Sequence, residues 1–233
     1  MVNKVLNFHC IILARGGSKG ITGKNIINFL GKPLLAWTIE QCKSAADISS
    51  VWVSSDDEHI LNIAKKYGAK TIKRPENISG DLATSESAWL HAINYLNEND
   101  IEVDAILAPQ VTSPLRETSD IDDAIQKFIM GNYDSMFSAS LADDLFFWED
   151  STDSLMSVNY DYKNRKRRQD FKLQIIENGS FYIFKSEILK KNKNRMGGKI
   201  GYSEMAFWKM FEIDNNDDLR MCSVLMKEFL IKD

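Results

Sequence analysis

The chain has few cysteines, no apolar run of membrane-spanning length, and no internal repeat or low-complexity tract. Its three cysteines, Cys10, Cys42 and Cys222, are odd in number, distant in sequence and set in apolar stretches. Buried reduced thiols are therefore expected, not disulfides or a thiolate metal site. The lack of a long apolar run argues against a membrane-spanning helix. The first ten residues lead straight into an apolar run without a signal-peptide pattern, which points to a cytoplasmic protein. Positive charge is not in excess either: 29 Lys and Arg face 33 Asp and Glu, a formal net charge of −4. That balance argues against a general nucleic-acid binder. A hydrophobic content of 44% over 233 residues is enough for one full core, so a single domain is expected.

Two well-known phosphate loops are also missing. A P-loop needs a glycine five residues before its Gly-Lys and a Ser or Thr after it. Here Ser18 stands five before Gly23, and Asn25 follows Lys24. The Gly-x-Gly-x-x-Gly spacing of dinucleotide folds does not occur either. What stands in their place is Leu13-Ala14-Arg15-Gly16-Gly17-Ser18-Lys19-Gly20-Ile21-Thr22-Gly23-Lys24-Asn25, directly after the apolar run Phe8–Ile12. Glycines let backbone N–H groups approach an anion, and Arg15, Lys19 and Lys24 add the positive charge a triphosphate requires. A strand ending in such a loop reads as a nucleotide-phosphate site; a solvated basic loop is the plainer alternative.

The first 140 residues alternate short β-rich runs with helical patterns. Strands are expected at Phe8–Leu13, Val51–Ser54, Lys70–Lys73, Val103–Ala108 and Ser135–Ser140. Helices are expected from Pro33 at a first helical position, from a capping box at Ser55–Glu58, over Ser85–Leu96, and after Thr118 and Ser119. This alternation predicts an α/β fold whose mainly parallel sheet is covered by helices on both faces, with ligands at the strands' carboxyl ends. From Asp143 to Gln174 the alternation lapses, leaving Phe146-Phe147-Trp148, acidic turns and the basic run Lys163–Arg168. Too little periodic apolar sequence remains there for a core. The segment is expected to be an inserted arm of two or three short strands that packs against a second subunit in a homodimer. A further strand is expected at Ser180–Lys185 and a last helix over Asp217–Leu230.

Other constellations carry chemistry. Arg74-Pro75 and the helix start at Ser85 offer fixed donors of the kind a nucleobase needs, although an ordinary loop reads the same way. Gln110-Val111-Thr112-Ser113-Pro114-Leu115-Arg116 follows the fourth strand; Thr112 and Ser113 are read as a turn capping the next helix. In Phe211-Glu212-Ile213-Asp214, two carboxylates two residues apart on a strand would share a side. Such hard oxygen ligands suit Mg²⁺ bridging nucleotide phosphates. Asp217 and Asp218 read as N-cap and first-turn charge of the last helix.

Together these motifs resemble the CMP-sialic acid synthetases, or N-acylneuraminate cytidylyltransferases. The likeness rests on Leu-Ala-Arg-x-x-Ser-Lys-Gly-x-x-x-Lys-Asn, on Gln110 to Arg116, and on Arg167-Arg168-Gln169-Asp170, Glu177-Asn178-Gly179-Ser180-Phe181-Tyr182 and Gly197-Gly198-Lys199 with Tyr202 to Met205. The last three groups are most similar to the animal type. The resemblance implies a three-layer nucleotidyltransferase fold and transfer of CMP from CTP to a nonulosonic acid. It implies that Leu13 to Gly16, Ser18, Lys19, Lys24 and Asn25 wrap the triphosphate, and that Arg74 and Ser85 meet cytosine. Gln110, Arg168, Gln169, Asn178 and Tyr182 would meet the acidic nine-carbon sugar, and Asp214 with Glu212 would hold Mg²⁺. Arg15, Lys19, Lys24 and Asp214 would be the catalytic groups.

The chain departs from the family pattern in three places. Glu212 replaces the first aspartate of Asp-x-Asp, Ala108-Pro109 separates Leu107 from Gln110, and no lysine stands near Trp148 where bacterial relatives bind sugar. Legionaminic, pseudaminic or deaminated sialic acid are alternative acceptors. A nucleic-acid binder using Lys163–Arg168, or a catalytically silent nucleotide sensor, are alternatives of other classes. No residue stands out as the general base.

Overall fold

A computed structural model describes residues 6–17, 20–152 and 154–231, with Arg168 described by its backbone only. Ser18 and Lys19 lie outside the described residues, as does the Arg168 side chain.

The chain runs β1 (Phe8–Leu13), a small hairpin β2 (Asn28–Phe29) and β3 (Lys32–Pro33), α1 (Leu34–Lys43), β4 (Ile48–Ser55), α2 (Glu58–Lys66) and β5 (Lys70–Lys73). It continues through α3 (Ser85–Glu98), β6 (Ala105–Pro109), α4 (Thr118–Met130), β7 (Ser135–Leu141), and a second hairpin of β8 (Trp148–Ser151) and β9 (Ser154–Ser157). Last come β10 (Ile175–Lys185), α5 (Ser186–Asn192), β11 (Ile200–Glu204) and α6 (Asn216–Phe229). Seven strands form one sheet in the order β11-β7-β10-β6-β1-β4-β5. Only β10 runs antiparallel to its neighbours; the other pairings are parallel.

Period-2 alternation along β1 explains the layers. Phe8, Cys10 and Ile12 join the core under α1, α2, α4 and α6, while Ile11 joins the opposite core under α3 and α5. The three cysteines are free and buried as the sequence predicts. From β1 the chain moves outward to β4 and β5, then returns on the other side of β1 as β6. The strand order therefore reverses between β1 and β6, and the loops leaving their carboxyl ends diverge to leave a crevice. The loops in question are Ala14–Gly23 and Gln110–Arg116.

Several local expectations are corrected. Pro33 caps α1 from outside rather than standing first in it. The N-cap of α2 is Asp57, whose carboxylate accepts from the N–H groups of His59 and Ile60; Ser55 instead accepts from Asp57 N–H. Thr112 and Ser113 do not cap α4, because Glu117 does, its N–H donating to the Asp120 carboxylate at 2.7 Å. Asn215, not Asp217, caps α6, accepting from Asp217 and Asp218 N–H. β10 begins five residues before the predicted Ser180, through an irregularity at Asn178-Gly179 where Gly179 takes a positive φ of 68°.

Candidate active site

The crevice between β1 and β6 opens into a cavity of about 560 Å³. Its walls bring together Leu13, Arg15, Lys24, Asn25, Arg74, Ser85, Gln110, Tyr182 and Asp214 from the residues singled out by sequence.

At the glycine loop, both described cations already face a carboxylate. Arg15 Nη1 lies 3.0 Å from Asp81, and Lys24 Nζ lies 2.7 Å from Asp214. The loop is knitted to the sheet: Ala14 N–H donates to Ser54 O, Gly16 N–H to Asp56, and the buried Asn25 amide to Arg15 O. The Gly16 amide is thus engaged rather than free for phosphate. Two glycines are required by close approach, since a Cβ on Gly16 would meet Asp57 Oδ2 at 2.7 Å and one on Gly20 would meet Asp214 O at 2.4 Å.

Arg74 is buried beside this loop. Its Nε donates to Ser79 Oγ at 3.1 Å and its guanidinium faces Asp56 at 3.7 Å, which fixes the side chain in the cavity wall. Ser85 is the first residue of α3, whose N-cap Thr84 accepts from Ser87 N–H. A helix N-terminus therefore opens onto the cavity and favours electron-rich groups.

Gln110 sits at the centre. Its N–H donates to Ser180 O, and its carbonyl accepts from Arg116, a fully buried arginine that also donates to Ser180 O at 3.0 Å. A guanidinium with several fixed donors locks both sides of the turn. Behind it, Gly179 has no Cβ, and one placed there would lie 3.3 Å from Gln110 Nε2 and 3.9 Å from Glu212 Oε2. Gln110 and Glu212 therefore share one corner.

Residues 211–214 are not a strand, contrary to the expectation. They form a link to α6, tied by Ile213 N–H donating to Thr112 O at 2.7 Å and Asp214 N–H donating to Asp218 Oδ2 at 3.0 Å. The Thr112 hydroxyl donates toward Glu212 Oε2 at 3.4 Å. Burial, and then the nearby Asp214 carboxylate, push the Glu212 carboxyl above its ordinary range. Two neighbouring carboxylates, one half-buried and one exposed, form a donor set that suits a hard divalent cation. Among the described residues no group of three or more His, Cys, Asp or Glu would hold a metal unaided.

On the β10 wall, the Tyr182 hydroxyl donates to Glu177, and burial followed by Glu177 pushes its pKa to about 12. Asn178 is not in the cavity wall: its amide donates to Ser140 Oγ and its oxygen accepts from Ser180 N–H, shaping the β10 irregularity. Gln169 lines a separate hollow of about 210 Å³ inside the arm, because that segment projects from the sheet. The basic run is partly engaged within the arm, with Arg165 over the Phe146 ring and Arg167 paired to Asp170.

Sequence reasoning missed Asp81, Trp89 and Arg195 in the wall and Arg116 behind it. Arg116 lies within the Gln110–Arg116 motif, and Trp89 lies within the predicted helix over Ser85–Leu96. Arg195 carried no local signal.

A family model described as Cytidylyltransferase matches residues 9–206. N-acylneuraminate cytidylyltransferase A of Danio rerio is 36% identical over 219 residues, covering 92% of this chain and 50% of its own. Pseudaminic acid cytidylyltransferase of Campylobacter jejuni is 36% identical over 179 residues, covering 75% of this chain and 76% of its own. The chain spans about half the length of the Danio rerio enzyme and of two further N-acylneuraminate cytidylyltransferases that it resembles. A solved CMP:2-keto-3-deoxy-manno-octonic acid synthetase complexed with CTP superposes with a TM-score of 0.71 at 16% identity, covering 96% of this chain and all of that one. At that identity the likeness speaks to the fold.

Proposed function

The chain belongs to the cytidylyltransferase family, and on that premise we propose that it transfers CMP from CTP to the anomeric hydroxyl of a nonulosonic acid, releasing pyrophosphate. The observation that carries the proposal is one cavity whose wall brings together the cations Arg15 and Lys24, the buried Arg74, the pinned Gln110 and the Asp214 carboxylate, with Glu212 outside that wall but two residues from Asp214.

Lys24 and Arg15 exchange their carboxylate partners for phosphate oxygens when CTP enters, so their positive charge meets the triphosphate. Lys19 acts with them from the same loop. Arg74 and Ser85 orient the cytosine, while Gln110 and Tyr182 face the acceptor. Tyr182 keeps its proton at neutral pH and acts as a hydrogen-bond donor. The anomeric oxygen forms a bond to the α-phosphorus as the bond to the β-phosphate oxygen breaks. Pyrophosphate leaves with that electron pair, and the hydroxyl proton passes to solvent. Positioning and charge neutralisation supply the acceleration. Asp214 and Glu212 would hold Mg²⁺, which would supply charge neutralisation at the phosphates.

The arm from Asp143 to Gln174 is proposed to form a homodimer in the cytoplasm, the partner's arm bringing Arg168 and Gln169 toward the sugar. Legionaminic, pseudaminic and deaminated sialic acids remain acceptors of the same chemistry, and the similarity to a pseudaminic acid enzyme supports testing them together. Pyrophosphate release is measured with CTP, Mg²⁺ and each acid in turn. Release that requires both CTP and one of these acids is expected. None with any acid, or equal release without an acceptor, overturns the reading.

A further inference from the structure

Beside Arg15 and Arg74, the cavity wall holds a third guanidinium, that of Arg195, next to Tyr182 and apart from the nucleotide end. It stands in the loop between α5 and β11. Lys193 turns the chain with a φ of 53°, and Ser135 Oγ then clamps Gly197, accepting from its N–H at 3.0 Å and donating to its carbonyl at 2.8 Å. Gly197 is close-packed, since a Cβ there would meet Asn192 Nδ2 at 2.3 Å. The loop is therefore held from both sides, and Arg195 projects into the cavity from a fixed base.

Its guanidinium lies over the Tyr182 ring at 4.2 Å and toward the Trp89 ring at 5.3 Å. Nη1 donates to Glu86 Oε1 at 3.1 Å, and the side chain keeps 25% of its surface exposed. Contact with two rings and the bond to Glu86 leave little rotamer freedom to lose on binding. Arg15 and Lys24 face Asp81 and Asp214, so Arg195 forms a separate donor site in the same cavity.

Charge decides what it reads. Glu86 already balances Arg195, and Glu177 accepts from the Tyr182 hydroxyl beneath it. An incoming carboxylate would meet two carboxylates for one guanidinium, whereas a neutral oxygen meets open N–H donors with no net repulsion. Resting on the acceptor reading above, the geometry points to Arg195 as a specificity-determining residue that donates to a neutral oxygen of the sugar, an acyl carbonyl or a hydroxyl, rather than to its carboxylate or to CTP. One strong charge-assisted bond then separates acceptors that share a carboxylate and ring but differ in that substituent.

The test uses Arg195→Ala, Arg195→Gln and Arg195→Lys with two acceptors, an N-acylated nonulosonic acid and its deaminated counterpart, and calorimetry of CTP binding on each protein. Loss of one charge-assisted hydrogen bond predicts an acceptor KM raised about tenfold or more for Ala and Gln. The kcat/KM ratio between the two acids should shift by about fivefold or more, with CTP affinity within about twofold of wild type. Arg195→Lys should recover only part, because an ammonium lacks the planar fork. Unchanged acceptor KM in all three variants overturns the assignment. So does a loss that is equal for both acids and accompanied by weaker CTP binding, the mark of a merely structural Glu86 bridge. A wild-type protein that binds CTP but turns over no acid instead defeats the acceptor reading itself, and this assignment with it.

Discussion

The sheet half of the molecule and the arm both pair aromatic rings, with opposite results. Phe8 and Phe128 meet edge to face at 5.9 Å, and both are fully buried between β1 and α4. In the arm, Phe146 and Tyr160 approach to 4.6 Å and Trp148 and Tyr162 to 5.3 Å. There, however, Phe147 is 48% exposed, Trp148 44% and Leu155 61%. Ring contact stabilises a chain mainly through the area it removes from water. The sheet half closes its own core, while the arm presents an apolar face that one chain leaves wet. The site follows this division: its rigid groups, Arg74, Gln110 and Arg116, are anchored on the sheet.

The largest expected contrast is in stability. Phe128→Ala should cost about 3–5 kcal/mol, as large-to-small core changes do, whereas Phe147→Ala should stay within about 1 kcal/mol in the monomer. Urea unfolding of dilute protein checks both, and similar losses would erase the comparison. Next comes Lys24→Ala, which should cost about 2–4 kcal/mol in transition-state stabilisation, as removal of a preorganised charge donor does. Its melting temperature should barely move, because Asp214 is largely exposed and the pair is screened. Near wild-type kcat/KM for CTP would remove Lys24 from the site.

A smaller effect is expected from Phe147→Asp. If the arm's apolar face is a subunit interface, light scattering should show loss of the dimer, and turnover should fall with it. A wild-type protein that is monomeric and fully active at micromolar concentration would end that role for the arm. The smallest effect concerns His9 in β1. Trp52 donates to Ser50, Ser50 pairs with His9 Nδ1, and His9 Nε2 donates to Glu102 O. Burial is the leading cause that lowers the His9 pKa below its ordinary 6.5. The unfolded chain therefore takes up a proton first. The stability from neutral His9 is fully present above pH 6.5 and is lost as pH falls through that value toward the folded pKa. His9→Gln should flatten this part of the stability–pH curve, and an unchanged slope would contradict it.

Much of the fold was legible because its signals are local. The apolar run at Phe8–Leu13 and the helical pattern after Thr118 and Ser119 depend only on neighbouring residues. The Ala14–Asn25 loop was legible for the same reason. The early start of β10 was hidden by the left-handed Gly179, which interrupts the strand pattern. The small strand β11 pairs with β7, 65 residues earlier, and left no comparable trace. Caps slipped by a few residues because Ser, Asp and Asn cluster near each helix start and compete for the same N–H groups. Asn178 was expected to meet the sugar, yet it lies within β10, where its side chain bonds Ser140 and Ser180 and shapes the backbone. Arg195 escaped because its role depends on Tyr182 and on Glu86, 109 positions away.

The central claim is attack by the sugar's anomeric oxygen on the α-phosphorus of CTP. An acceptor acid labelled with heavy oxygen at its anomeric hydroxyl, turned over with unlabelled CTP, tests it most directly through mass spectrometry of the CMP-sugar. The account predicts that the label stays in the product as the bridging oxygen, with unlabelled pyrophosphate released. A product that has lost the label, formed by attack of a phosphate oxygen on the anomeric carbon, would contradict it.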